Sequence, residues 1–255
     1  MKNDHKLGLV SISFRSLAPK EILEAVKAAG LSCVEWGSDV HAPCTDPERI
    51  RQIAAMQNEY GISCSSYGTY FRLGVNPPEE IRDYIRAAKL LGTNLLRIWC
   101  GDKNDADMTE EERQRLICDG KAVAAIAEAE GVVICMECHN KTMTDCIEGA
   151  ERLMSAVNSH AFQMYWSPNQ FKSHACNCDY ARRIRPYVKV VHVFHWINRD
   201  RFPLAEGAAL WRDYLSCLDG SLPLLLEFMP DNDPRSLSQE ADSLRLILNG
   251  MGKLQ

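Results

Sequence analysis

The chain has 255 residues, 46% hydrophobic and 25% charged, an ordinary globular composition at a length where a barrel can form one domain. Lys and Arg total 29 against 34 Asp and Glu, and the net charge of −5 offers no basic footprint for a phosphate backbone, so nucleic-acid binding is not expected. No run approaches the roughly 20 apolar residues that span a bilayer, and MKNDHKLGLVSISF lacks the apolar stretch and small-residue cleavage site of a signal peptide. The expectation is a cytoplasmic protein with no membrane partner, and a homo-oligomer is compatible with these totals.

The first strand candidate is KLGLVSISF, followed by a helical stretch from Pro19 to Ala29 that stops at Gly30. LSCVEW then leads to a second helix, Asp46 to Tyr60, stopping at Gly61, and ISCSSY to a third, Pro77 to Leu91, stopping at Gly92. The three glycines recur every 31 residues, and each helix opens on Pro or Asp with acidic residues, which are start and stop signals. TNLLRIW precedes a longer helix from about Thr109 to Glu130, which passes through Gly131 into VVICMECH and a helix near Asp145 to Val157. FQMYW, YVKVVHVF and PLLLEF complete eight strand candidates separated by helical segments.

Eight such units predict the α/β class and a single-domain (β/α)8 barrel over residues 1–255. A doubly wound open sheet normally has fewer units, and no G-x-G-x-x-G follows a strand to favour it. The eleven cysteines are odd in number and scattered through apolar segments, so reduced, mostly buried thiols are expected. Cys135 and Cys138 form a C-x-x-C, but residues three apart in a strand face opposite sides and cannot chelate one ion together. Cys176 and Cys178 carry no second pair or redox context.

In a barrel of this kind the active site lies at the C-terminal ends of the strands. Glu137, His192 and Glu227 each close a short apolar run, and the equivalent place in FQMYWSPN holds Ser167. Other polar or aromatic residues crowd the same ends: Glu35, Trp36, Tyr67, Arg72, Arg97, Trp99, His139, Trp166, Asn169, His195 and Trp196. The strand beginnings are mostly apolar or small. Alternation puts Glu137 and His139 on one side and Cys138 on the other. His192 shares its side with Phe194, so His195 reaches the pocket only if the strand ends and the backbone turns. Buried carboxylates demand a cation, a proton or hydrogen bonds. Carboxylate, imidazole and carboxylate can hold a divalent metal, or move protons on either face of a bound substrate.

The segments VEWGSDVHAP, MECHNKTMTD, YWSPN and VHVFHW, with the strand-end residues, resemble the xylose-isomerase-like TIM barrels over nearly the whole chain. That group holds sugar isomerases, sugar 3-epimerases, hydroxypyruvate isomerases and endonuclease-IV-type nucleases. In its sugar epimerases, Glu, Asp, His and Glu from strands five to eight hold one divalent metal. The resemblance implies Glu137, His192 and Glu227 as ligands, spaced with Ser167 by 30, 25 and 35 residues, for Mn²⁺, Mg²⁺, Co²⁺ or Zn²⁺. Ser167 departs from the family Asp, since a serine hydroxyl is a poor ligand, and this places the chain near a branch in which that Asp is commonly absent. Three protein ligands plus water remain a legitimate catalytic zinc arrangement.

The resemblance further implies Glu137 and Glu227 as the catalytic pair, one removing a proton next to a carbonyl and the other returning one. Trp36, His41, Arg97, His139, Trp166, Asn169, His195 and Trp196 are the expected contacts to a small sugar or hydroxy-carbonyl substrate. Structural uses compete with each assignment. Arg97 could form a buried ion pair with Glu35, His192 could be a core histidine bonded to a carbonyl, and His139 and His195 could only orient a glutamate or a loop. Tryptophans at strand ends also serve helix-barrel packing, and two of Trp36, Trp99, Trp166 and Trp196 are expected in the pocket. The expectation is a sugar isomerase or epimerase. The alternatives are a non-catalytic sugar-binding barrel and a metal-dependent nuclease or hydrolase on the same fold.

Overall fold

The apolar runs form eight parallel strands in the computed structural model, which describes residues 5–251. They are β1 (Leu7–Val10), β2 (Cys33–Gly37), β3 (Ser63–Leu73), β4 (Leu95–Cys100), β5 (Val133–Met136), β6 (Phe162–Trp166), β7 (Val188–Val193) and β8 (Leu224–Leu226). Each pairs with its neighbour in sequence, and β8 returns to β1 with Leu7 opposite Leu224, so the barrel is closed. Closure removes free sheet edges. The helices between them are α1 (Pro19–Ala28), α2 (Pro47–Tyr60), α3 (Ile81–Leu91), α4 (Glu110–Glu130), α5 (Ile147–Val157), α6 (His174–Ile184), α7 (Ala208–Ser216) and α8 (Leu237–Met251).

The helix signals in the sequence act as caps. Asp46 accepts the backbone N–H of Arg49, and Thr109 and Glu112 form a reciprocal capping box at the head of α4. Gly61, Gly92 and Gly131 close α2, α3 and α4 with φ of 69°, 82° and 68°, a conformation that residues with a Cβ rarely adopt. Two helix starts lie later than expected. Pro77 and Pro78 lack N–H groups, so Pro78–Glu80 forms a tight 3-10 turn before α3 begins at Ile81. Met143–Asp145 forms another, and extended Cys146 separates it from α5. β3 runs to Leu73, well past ISCSSY, and its pairing with β4 shifts register between Gly68 and Arg72. A short antiparallel hairpin, Trp196–Ile197 with Asp200–Arg201, follows β7.

Alternation along the strands divides the core into two parts. Outward residues, among them Val34, Trp36, Leu96, Ile98, Trp166, Val191 and Val193, pack under the helices, while Val10, Cys33, Cys135, Tyr165, Val190 and Leu225 fill the barrel interior. The same wall separates the C-x-x-C thiols. Cys135 lies inside, whereas Cys138 hydrogen-bonds the Tyr180 hydroxyl on α6, and all eleven cysteines are free.

Trp36 shows how the outer layer handles polar atoms. It is fully buried and donates its Nε1–H to the Gln57 side chain on α2, while Gln57 Nε2 donates to the Leu91 carbonyl at 3.1 Å. Gln57→Leu strands both groups, so urea denaturation should show a loss of about 1–3 kcal/mol. An unchanged midpoint would mean that the two bonds contribute nothing.

Candidate active site

Glu137 follows β5, His192 lies in β7 and Glu227 follows β8, and one ligand atom from each lies within 4.8 Å of the other two. His192 Nδ1 stands 3.6 Å from Glu137 Oε1 and 3.5 Å from Glu227 Oε2. On the other edge of the ring, His192 Nε2 is 3.3 Å from Glu35 Oε2. Arg97, from β4, reaches Glu35 Oε1 through Nε at 3.3 Å and clamps Glu137 Oε2 through Nη1. Three carboxylates, one guanidinium and one imidazole therefore share the top of the barrel interior, all under a tenth exposed.

Local sequence provides the space and the remaining bonds. Ser66 Oγ donates to Glu35 Oε2 at 2.8 Å. Gly68 sits where a Cβ would come 2.6 Å from Glu35 Oε1 and 2.9 Å from Arg97 Nη2, so a side chain there would displace the pair. The Tyr165 ring meets His192 edge-on with centroids 5.1 Å apart. Thr144 Oγ1 donates to the Glu137 carbonyl at 2.6 Å, which holds the chain just past β5.

Burial alone would raise the glutamates and lower His192 and Arg97 in pKa. For Glu137 the burial effect is outweighed first by the Arg97 charge and then by His192, so its carboxyl is held well below the usual range. Burial of Glu35 is likewise outweighed by His192 and Arg97. Burial of Arg97 is overcome by Glu137, Glu35 and Glu227, and burial of His192 by Glu227 and Glu35, so His192 is held well above its ordinary value.

Arg97, Glu137 and Glu227 form the floor of a cavity of about 240 Å³ whose walls include Arg15, Tyr70, Trp99, His139, Asn169, Phe194, Trp196 and Phe228. Tyr70, Trp99 and His139 stand on the β3–β5 arc, where Trp99 and His139 stack with centroids 4.6 Å apart. Phe194, Trp196 and Phe228 stand on the β7–β8 arc, across the mouth from the first cluster. Arginines lie against both clusters, Arg72 3.9 Å from the Trp99 centroid and Arg201 4.8 Å from Trp196. His139 Nδ1 donates to the Asn140 carbonyl at 2.7 Å, which holds the ring beside Trp99. Asn169 lines the cavity and ties two loops together through Asn140 Oδ1 at 2.7 Å.

Of the residues singled out from sequence, Glu137, Glu227, Arg97, His139, Asn169 and Trp196 line this cavity, and Ser167 does too. His192 lies beneath them. Four expected substrate contacts are placed elsewhere. Trp36 points outward under α2, because Glu35 takes the inward place of its strand. Trp166 points outward against Trp211 and Tyr214 of α7, with centroids 6.2 and 5.4 Å away. His41 is fully buried and bonded to Ser11 Oγ at 3.1 Å and the Leu17 carbonyl at 3.2 Å. His195 follows the end of β7 into a neighbouring cavity with Trp211 and Tyr214, close against Gly207. Sequence reasoning passed over Tyr70, Phe194 and Phe228 as cavity walls. Phe194 carried a usable signal, since it shares parity with His192.

A xylose isomerase-like TIM barrel family model matches residues 23–245. The chain belongs to that family. A probable 3-DHS dehydratase of petrobactin synthesis from Bacillus anthracis superposes with a TM-score of 0.80 at 17% identity, over 94% of this chain and 98% of that one. A structure of L-ribulose 3-epimerase gives 0.76 at 13% identity, over 98% and 96%. A xylose isomerase-like TIM barrel protein from Mycobacterium smegmatis, in complex with magnesium, gives 0.73 at 11% identity, over 97% and 98%. These likenesses show the fold. No curated protein matches the sequence. No helix among the described residues is long and apolar enough to cross a membrane.

The raised His192 contributes stability that is complete below its unfolded pKa of about 6.5 and is lost as pH rises through the folded value. The lowered Glu137 contributes above its unfolded pKa of about 4.3, and that part is lost as pH falls through its folded value. Calorimetry in chelator should therefore show the wild-type Tm falling on the alkaline side more steeply than that of His192→Gln. Parallel alkaline limbs would contradict the assignment.

Proposed function

We propose that this member of the family is a sugar isomerase or epimerase that moves a proton on carbon next to a carbonyl in a small sugar or hydroxy-carbonyl compound. The observation that carries the reading is the pair of carboxylates, Glu137 and Glu227, meeting from β5 and β8 at the floor of one aromatic-walled cavity. Two carboxylates in one pocket can act as base and acid toward a bound substrate. The superposed fold of an L-ribulose 3-epimerase supports the same class of reaction.

The two carboxylates differ in their surroundings. Arg97 clamps Glu137 and lowers its basicity, whereas no arginine forms an ion pair with Glu227 among the described residues. In this proposal Glu227 removes the proton. Arg97 then turns from Glu137 toward the enediolate oxygen as charge develops there; Glu137, so released, takes the proton that His192 carries on Nδ1, 3.6 Å away, and delivers it to the carbon, while His192 recovers a proton from Glu227, 3.5 Å away. The aromatic clusters exclude water and cover the apolar faces of the sugar.

The donor set also suits a divalent ion. Glu137 Oε1, His192 Nδ1 and Glu227 Oε2 converge, while Arg97 occupies only the other oxygen of Glu137. Mn²⁺, Mg²⁺, Co²⁺ or Zn²⁺ held there would polarise the substrate carbonyl as a Lewis acid. Among the described residues this is the one group of three able to hold an ion, so a multi-metal hydrolase lacks its ligands.

Two measurements test the proposal. After incubation with each of the four ions, elemental analysis should find one metal per chain, lost in Glu137→Gln and Glu227→Gln and bound more tightly in Ser167→Asp. No metal under any condition removes the ligand set. Incubating ketoses in D₂O should label the carbon next to the carbonyl, with Glu227→Gln slower by about 10²- to 10⁴-fold. Sugars that bind but never exchange would establish a non-catalytic sugar-binding barrel instead.

A further inference from the structure

We propose that Glu35 is a positioning residue for His192: it commits the imidazole Nε2–H to the barrel interior, so that Nδ1 alone faces Glu137 and Glu227. Glu35 is fully buried, and both of its oxygens are in use. Oε1 receives Arg97 Nε at 3.3 Å, and Oε2 receives the Ser66 hydroxyl at 2.8 Å and lies 3.3 Å from His192 Nε2. An ionised carboxylate only accepts, so the hydrogen between Glu35 and His192 belongs to the imidazole.

With the Nε2–H in contact with Glu35, it is Nδ1 that lies between Glu137 Oε1 and Glu227 Oε2, 3.6 and 3.5 Å away. The surroundings keep this contact from relaxing. Gly68 leaves space for Glu35 and Arg97 that a Cβ would fill, and Tyr165 stands edge-on to the ring. A carboxylate behind a histidine orients the ring and raises its basicity toward an ion on the far side.

The inference takes Glu137, His192 and Glu227 as the working group of the proposed site, but does not require that an ion be bound. The test uses the full chain with ¹⁵N-labelled histidine, zinc-free and with one equivalent of Zn²⁺, and a His192→Asn sample to identify His192 among the seven histidines. Nε2 should carry its proton in both states, and zinc should move the Nδ1 resonance. In Glu35→Leu the Nε2–H signal should be lost, and calorimetric titration should show zinc affinity weakened about 10- to 100-fold. Should Glu35→Leu fail to fold, the wild-type spectra decide alone, because an Nε2 without its proton in either state overturns the proposal. An unchanged Nε2–H signal in Glu35→Leu, with zinc bound as tightly as by wild type, overturns it as well. A wild type that keeps Nε2–H but binds no zinc counts against the metal reading and supports the role of Glu35.

Discussion

The top of the barrel depends on a buried charge balance. Glu35, Glu137 and Glu227 are withdrawn from water, and Arg97 and His192 are the cations set against them. Withdrawing an ion from water costs several kcal/mol even after relaxation, and the attraction repays this only when the remaining oxygens and protons find partners. Ser66 and the missing side chain at Gly68 meet that condition around Glu35. The cluster orders the strand ends because each member spans a different part of the wall. Arg97 ties β2 to β5 from β4, and His192 ties β2 to β8 from β7.

The same balance gives the two carboxylates that face the cavity different characters. Glu137 spends one oxygen on a guanidinium, while among the described residues Glu227 meets no cation in direct contact except His192. The aromatic clusters on opposite arcs then shape the space above the pair, and the cationic arginines against Trp99 and Trp196 stiffen both walls.

Much of the fold was legible because its signals are local. Thr109 caps α4 wherever the rest of the chain goes, and Gly131 ends it in a left-handed conformation that its own lack of a Cβ permits. The glutamates stood out for a related reason, as charges closing apolar runs. The tryptophans were less legible because position at a strand end does not say which side a residue faces. Alternation supplies that information. Trp36 follows inward Glu35, and Trp166 precedes Ser167, so both point to the helices, whereas Trp99 shares parity with Arg97 and reaches the cavity.

The amino-acid sequence by itself determined the order of strands and helices, the boundaries of the first five helices to within a few residues, and which charged residues stand at the strand ends, since propensity, capping and alternation act over a few residues. The tertiary structure decided which charges meet. Glu35 and His192 are 157 residues apart and become neighbours across the barrel interior, on strands whose relative heights depend on closure and on register shifts such as the one in β2 and β3. A hydrogen bond requires placement to within a fraction of an ångström, and only the closed barrel fixes positions that finely.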